Sequence, residues 1–214
     1  MNNFSEVLVQ SSAFQSHYLI NYNIKSKVVY NYTLVKKSEV YLKRTDFSTI
    51  VYAGNVGSLQ NFDGIVDLFL TLRRGRPLVF EFLEIYGEGS LLEYYRNKYA
   101  DTAGITFFGR VSTDEVVLAL ERARYAIFSL VDGPIQYTLP SRLQFFYNLN
   151  IPIIYLGQGA VCEFLKETNG GISFKDPLAE SNIKKLLIFE DEVFETKDFF
   201  NKNNIVKEIK ELLL

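Results

Sequence analysis

From Ser48 onward, short β-rich runs alternate with stretches of helical spacing, and this rhythm constrains the fold more than any other feature. The β-rich runs are Thr49–Ala53, Leu78–Ile85, Ile105–Phe108, Tyr125–Leu130, Pro152–Leu156 and Gly171–Phe174. Between them, Leu59–Leu72, Leu91–Tyr99, Thr113–Ala123, Ser141–Leu149 and Val161–Lys166 carry apolar residues three and four apart, as a helix covering a sheet requires. Strand–helix alternation of this length predicts βαβ units, hence an α/β, Rossmann-like parallel sheet with helices on both faces. Ser112-Thr113-Asp114-Glu115 supplies a cap and an acidic first turn, and Pro140-Ser141 opens the helix that follows.

Both ends depart from the rhythm. Glu6–Gln10 reads as a strand, Ser12–Tyr22 as a helix and Lys27–Tyr30 as a strand, followed by a polar connection through Arg44. At the other end, Ile205, Val206, Ile209, Leu212 and Leu213 form the apolar stripe of an amphipathic helix. The expected organisation is an N-terminal segment over 1–45, a Rossmann-like domain over 46–190 and a helical segment over 191–214. Residues 1–45 hold six bases against two acids, which reads as a solvated face.

Composition excludes several classes. At 48% hydrophobic and 15% aromatic, the chain can bury a core. A net charge of −2 gives no general attraction to nucleic acid, and no apolar run reaches the length of a membrane span, so membrane contact is peripheral at most. No secretory signal opens the sequence, and a cytoplasmic protein is expected. The single cysteine, Cys162, excludes a disulfide framework; the single histidine, His17, excludes a His-rich metal cluster. Glu190-Asp191-Glu192 reads as a solvated acidic turn, and no metal is expected.

In an open parallel sheet, ligands bind beyond the carboxyl ends of the strands, so the loops there are the candidate sites. Gly54-Asn55-Val56-Gly57-Ser58 is a glycine turn whose N–H groups could cradle a phosphate. Asp132–Pro140 leads into Ser141-Arg142, placing a helix N-terminus, a hydroxyl and a guanidinium at one spot suited to a diphosphate. Gly157-Gln158-Gly159-Ala160-Val161-Cys162, with Asp176 beyond it, approaches a dinucleotide fingerprint in which Cys162 replaces the third glycine. A dinucleotide-dependent oxidoreductase is therefore one of the alternatives.

Several of these loops, in order, resemble one family. Val51-Tyr52-Ala53-Gly54-Asn55-Val56-Gly57 is similar to the opening of the C-terminal, nucleotide-sugar-binding domain of GT-B glycosyltransferases of the "glycosyl transferases group 1" type. Tyr86-Gly87-Glu88-Gly89, Ile105–Val117 and Pro140-Ser141-Arg142-Leu143 through Ile154 resemble successive later segments of that domain. The match covers about residues 48–175. Val7–Ser11 and its helix resemble the last βα unit of the N-terminal domain, and Val29-Tyr30-Asn31 the interdomain connection.

The resemblance implies a donor-binding half that transfers a sugar, usually with retention, from a nucleotide-sugar to a polysaccharide or glycolipid acceptor. It implies no cofactor and no obligatory metal. It matches Gly57 to the phosphate loop, Val111 to the backbone that meets the base, and Ser141 and Arg142 to the diphosphate-binding helix start, with Arg110 beside Arg142 as a further cation for the diphosphate. The family's two glutamates fall on Tyr137 and Phe145, and its basic pair near Ser58 and Gln60, all neutral here. It also implies a partner for the ends: a separate N-terminal-half chain, or self-association. The remaining alternative is a non-catalytic binding or interaction module that keeps the fold.

Overall fold

The computed structural model describes residues 6–33, 48–175, 186 and 199–212. The expected boundaries near residues 45 and 190 fall outside them, as do Arg44, Asp176, Glu190-Asp191-Glu192 and Leu213. Six parallel strands form the main sheet: β3 (Thr49–Ala53), β4 (Phe82–Tyr86), β5 (Ile105–Gly109), β6 (Tyr125–Ser129), β7 (Ile153–Leu156) and β8 (Gly171–Phe174). Their spatial order is β5-β4-β3-β6-β7-β8, so the chain winds outward from β3 in one direction and then, from β6, in the other. This is the doubly wound order, with its topological switch point between β3 and β6.

Burial follows that order. Every residue of β3, β6 and β7 is buried, because helices cover both faces of the central strands. The edge strand β5 instead alternates between buried or half-buried and exposed positions, as a strand with a solvated face does. The covering helices are α2 (Phe62–Gly75), α3 (Leu92–Lys98), α4 (Thr113–Arg122), α5 (Ser141–Asn148) and α6 (Ala160–Thr168). The expected strand over Leu78–Ile85 begins only at Phe82, since the N–H groups of Val79 and Phe80 turn back to the Arg76 carbonyl and leave Leu78 exposed. The cap expected at α4 is a full capping box: Ser112 Oγ accepts from Glu115 N–H, and the Glu115 carboxylate accepts from Ser112 N–H.

The N-terminal segment is a separate βαβ unit: β1 (Leu8–Val9), α1 (Ser12–Tyr22) and β2 (Lys27–Val28), its two strands parallel. It rests on the main domain through α1, whose Ser12 Oγ donates to Glu163 of α6 at 3.0 Å. The last described helix, α7 (Lys202–Leu212), turns its stripe toward this unit. Ile205 and Ile209 face Leu8, Val9 and Val29 across a groove of about 460 Å³. Tyr30, Tyr147, Phe164, Phe199 and Phe200 pack ring against ring, and Thr33 N–H donates to the Phe200 carbonyl at 3.2 Å. The two end segments are thus tied to each other and to the sheet domain.

Candidate functional site

A pocket of about 670 Å³ lies beyond the carboxyl ends of β3, β4 and β5, roofed by the first turns of α4 and α5. Gly54 and Asn55 reach it from β3, Gly87 and Glu88 from β4, and Arg110 and Val111 from β5. α5 adds Ser141, Arg142 and Phe145. The β3 and β4 loops touch. A Cβ on Gly87, whose φ is +135°, would stand 1.9 Å from the Gly54 carbonyl oxygen, so only glycine fits there. Four of the five expected site residues, Arg110, Val111, Ser141 and Arg142, therefore border one cavity.

Gly57 does not border it. Its N–H donates to Gln60 Oε1 at 3.1 Å, and both residues are buried. Two more N–H groups of the turn are committed as well. Gly54 N–H donates to the Tyr86 carbonyl at 2.9 Å, and Val56 N–H to that of Glu88 at 2.8 Å. The adjoining β4 loop and Gln60 thus take up three of the N–H groups expected to form the cradle, and the Gln60 side chain stands where the resemblance expects a cation.

The anion-binding character passes to α5. Its N-cap residue is Pro140 and, among the described residues, no side chain caps the helix; Leu143 N–H turns back to the Pro140 carbonyl at 2.9 Å, while Ser141 and Arg142 of the first turn border the pocket. Arg142, in the first turn, reaches back over β3. Its Nη1 donates to the Tyr52 hydroxyl at 3.1 Å, and its guanidinium stands 5.4 Å from that ring's centroid and 5.9 Å from that of Phe128. Gly54 leaves it room: a Cβ there would fall 2.7 Å from Arg142 Nη2. Among the described residues, no carboxylate pairs with Arg142. Burial raises the Tyr52 hydroxyl's pKa and the Arg142 charge only partly opposes this, so the phenol stays neutral.

The second cation is shared. Arg110 Nη1 lies 3.2 Å from Glu88 Oε1, with both side chains mostly exposed, a contact worth about 1 kcal/mol at most. On the same side, Tyr86 stacks on Phe108 with ring centroids 4.5 Å apart. Burial, then its hydrogen bond to Glu84, pushes the Tyr86 phenol up to about 12, while Arg122 pairs with the same carboxylate. The sequence places Tyr52 and Tyr86 inside motifs without a role for their hydroxyls, and does not point to the lining residue Thr33. A tyrosine inside an apolar strand carries no local signal of what its hydroxyl meets, and Thr33 arrives from a distant segment.

The fingerprint-like turn has a different use. It follows β7, away from the switch point, and a Cβ on Gly159 (φ +81°) would stand 2.3 Å from the Gln136 carbonyl oxygen. The turn Pro134–Tyr137 therefore packs against the very backbone that a dinucleotide would need to approach. Cys162 Sγ donates to the Gly157 carbonyl at 3.4 Å, and burial raises the thiol's pKa. The glycines serve close packing here, which removes the physical basis for the oxidoreductase reading.

No family model matches the sequence, and no curated protein matches it. Solved structures do match the fold. A TarM variant from S. aureus, in complex with fondaparinux, alpha-GlcNAc-glycerol and UDP, is similar at a TM-score of 0.71 and 14% identity, over 99% of this chain and 44% of that one. HepE from Anabaena, in complex with UDP, is similar at 0.68 and 14%, over 98% of this chain and 63% of that one. WaaG, a glycosyltransferase involved in lipopolysaccharide biosynthesis, is similar at 0.71 and 10%, over 97% and 63%. The fold is that of the GT-B glycosyltransferases, and this chain spans roughly half the length of those it matches.

Proposed function

We propose that the chain is the donor-binding half of a glycosyltransferase that moves a sugar from a nucleotide-sugar to a polysaccharide or glycolipid acceptor. The observation that carries this reading is Arg142, a cation without a carboxylate partner among the described residues, held at the uncapped start of α5 beside the switch point. When a sugar leaves a nucleoside diphosphate, negative charge grows on the diphosphate, and a fixed guanidinium with aligned N–H dipoles stabilises it there. Arg110 adds a second, partly compensated positive charge, and Val111 offers backbone to the base from the same pocket. The remainder of the acceptor side comes from other polypeptide, either a separate chain or more of the same one. That UDP occupies two of the similar structures supports the choice of ligand.

A second reading, a binding module without catalysis, is favoured by one observation. The Gln60–Gly57 bond closes the glycine turn, and the nearby positions that the resemblance reserves for glutamates hold Tyr137 and Phe145. Calorimetric titration with UDP and UDP-sugars separates the two. Donor binding predicts measurable heat that falls about 10- to 100-fold in affinity in Arg142→Ala, the value of a charged hydrogen bond or two. Absence of heat with every nucleoside diphosphate tested selects the module.

A further inference from the structure

The connection from β6 to α5 borders two cavities. Its end, at Ser141 and Arg142, borders the pocket already described; its middle, the turn Pro134–Tyr137, leans on α1 and walls a second hollow of about 740 Å³. Five rings gather there. Tyr137 packs on His17, with centroids 4.6 Å apart and planes 33° apart, and on Phe14 at 5.7 Å. Tyr18 and Tyr22 meet His17 edge-on at 6.0 and 5.8 Å. None of these rings is in the core: Tyr22 is 62% exposed and the other four are half-buried. Rings gathered only to stabilise the fold would close on one another and shed water; these leave an open, aromatic hollow.

The lining is polar at its edges and, among the described residues, carries no Lys, Arg, Asp or Glu. Gln136 Nε2 donates to Asp132 at 2.6 Å, which leaves the Gln136 amide oxygen as an acceptor. The Asn21 amide faces His17 Nδ1 at 3.1 Å, an assignment that puts the imidazole proton on Nε2 as a donor. An anion finds no counter-charge in such a site. A wholly apolar ligand would bury the phenols and the imidazole N–H without partners. A neutral sugar meets both requirements, because its C–H faces rest on the electron-rich ring faces while its hydroxyls reach the edge donors and acceptors.

We propose that the hollow between α1 and the Pro134–Tyr137 turn binds a neutral saccharide. Tyr137 and Arg142 stand five positions apart on one connection, so a sugar held there flanks the pocket proposed for the nucleotide-sugar. Its use as a seat for the accepting glycan rests on the function proposed above; the binding itself does not.

Saturation-transfer NMR with maltotriose and with chitotriose, in the absence of nucleotide, tests it. Transfer to the ring protons of at least one trisaccharide is expected, surviving in Tyr22→Phe and in Arg142→Ala and falling about fivefold in Tyr22→Ala, the loss of one ring face. A circular-dichroism melt checks that Tyr22→Ala, a change at an exposed position, is folded. Transfer to neither sugar overturns the proposal, as does equal transfer in folded Tyr22→Ala. Loss of transfer on adding UDP, or in Arg142→Ala, also overturns it, since the sugar would then occupy the nucleotide pocket. Saccharide binding without UDP binding leaves this site standing and removes the donor reading.

Discussion

The guanidinium of Arg142 lies over the ring of Tyr52 and donates to its hydroxyl at 3.1 Å, while that hydroxyl donates to the Asn55 carbonyl at 2.5 Å. Ninety positions separate the two residues. The central strand, the loop after it and the start of α5 are joined at this one phenol, which is fully buried. Tyr52 thus acts as a positioning residue for the cation of the pocket.

Tyr52→Phe keeps the ring under Arg142 and removes both hydrogen bonds. Unfolding in urea is expected to show a loss of about 1–2 kcal/mol. UDP affinity is expected to fall several-fold, less than in Arg142→Ala, because the charge stays but its aim loosens. Unchanged UDP affinity in a folded Tyr52→Phe protein would mean that Arg142 does not need this anchor.

The two glycines Gly57 and Gly87 are expected to respond oppositely to alanine. A Cβ on Gly57 meets only the Asn55 side chain, which can turn aside, and Gly57 does not border the pocket; the change is expected to cost under about 1 kcal/mol and to spare UDP binding. Gly87→Ala forces a positive φ and drives a Cβ into the Gly54 carbonyl, so a loss of about 3 kcal/mol or more, with loss of the pocket, is expected. Thermal melts of the two variants decide the matter.

Acid is expected to weaken the α2–α3 contact through Asp63. Burial alone would raise its carboxyl, but hydrogen bonds from Lys98 at 2.8 Å and from the Tyr99 hydroxyl outweigh this and lower its pKa below the ordinary value. A carboxylate with a depressed folded pKa contributes stability above the unfolded pKa, and loses it as pH falls through the folded one. Asp63→Asn should therefore narrow the stability difference between pH 6 and about pH 3. Melts whose acid slope is identical in wild type and variant would exclude Asp63 as a source of that slope.

The groove between α7 and the β1–β2 pair should govern association. Leu8 is exposed and Ile209, half-buried, lines the same groove, so the purified chain is expected to self-associate at high concentration. Ile209→Glu should return it to a monomer in light scattering. A wild-type chain that stays monomeric would mean that the ends are satisfied within one molecule.

Periodicity and composition determined the architecture in this protein. Alternation of β-rich runs with helical spacing is a local property, and the central strands β3, β6 and β7 lie close to their expected bounds because Ile50, Ile127 or Ile154 has nowhere to go but between layers. The cap at Ser112 was legible for the same reason, since its partner Glu115 is three residues away. The site was legible in part. Ser141 and Arg142 follow a strand whose carboxyl end faces the crevice of a doubly wound sheet, and Arg110 and Val111, which only the family resemblance pointed to, border the same pocket. What each N–H or hydroxyl actually meets was decided only by the tertiary structure. Gly57 looked free until Gln60 turned back onto it, and Gly159 looked like a nucleotide turn until the Gln136 carbonyl filled the space. Tyr52 read as one more apolar residue of a central strand until α5, ninety positions on, brought Arg142 to its hydroxyl. Hydrogen-bond partners distant in sequence leave no periodic trace, so the strand order could be read along the chain and the use of its polar groups could not.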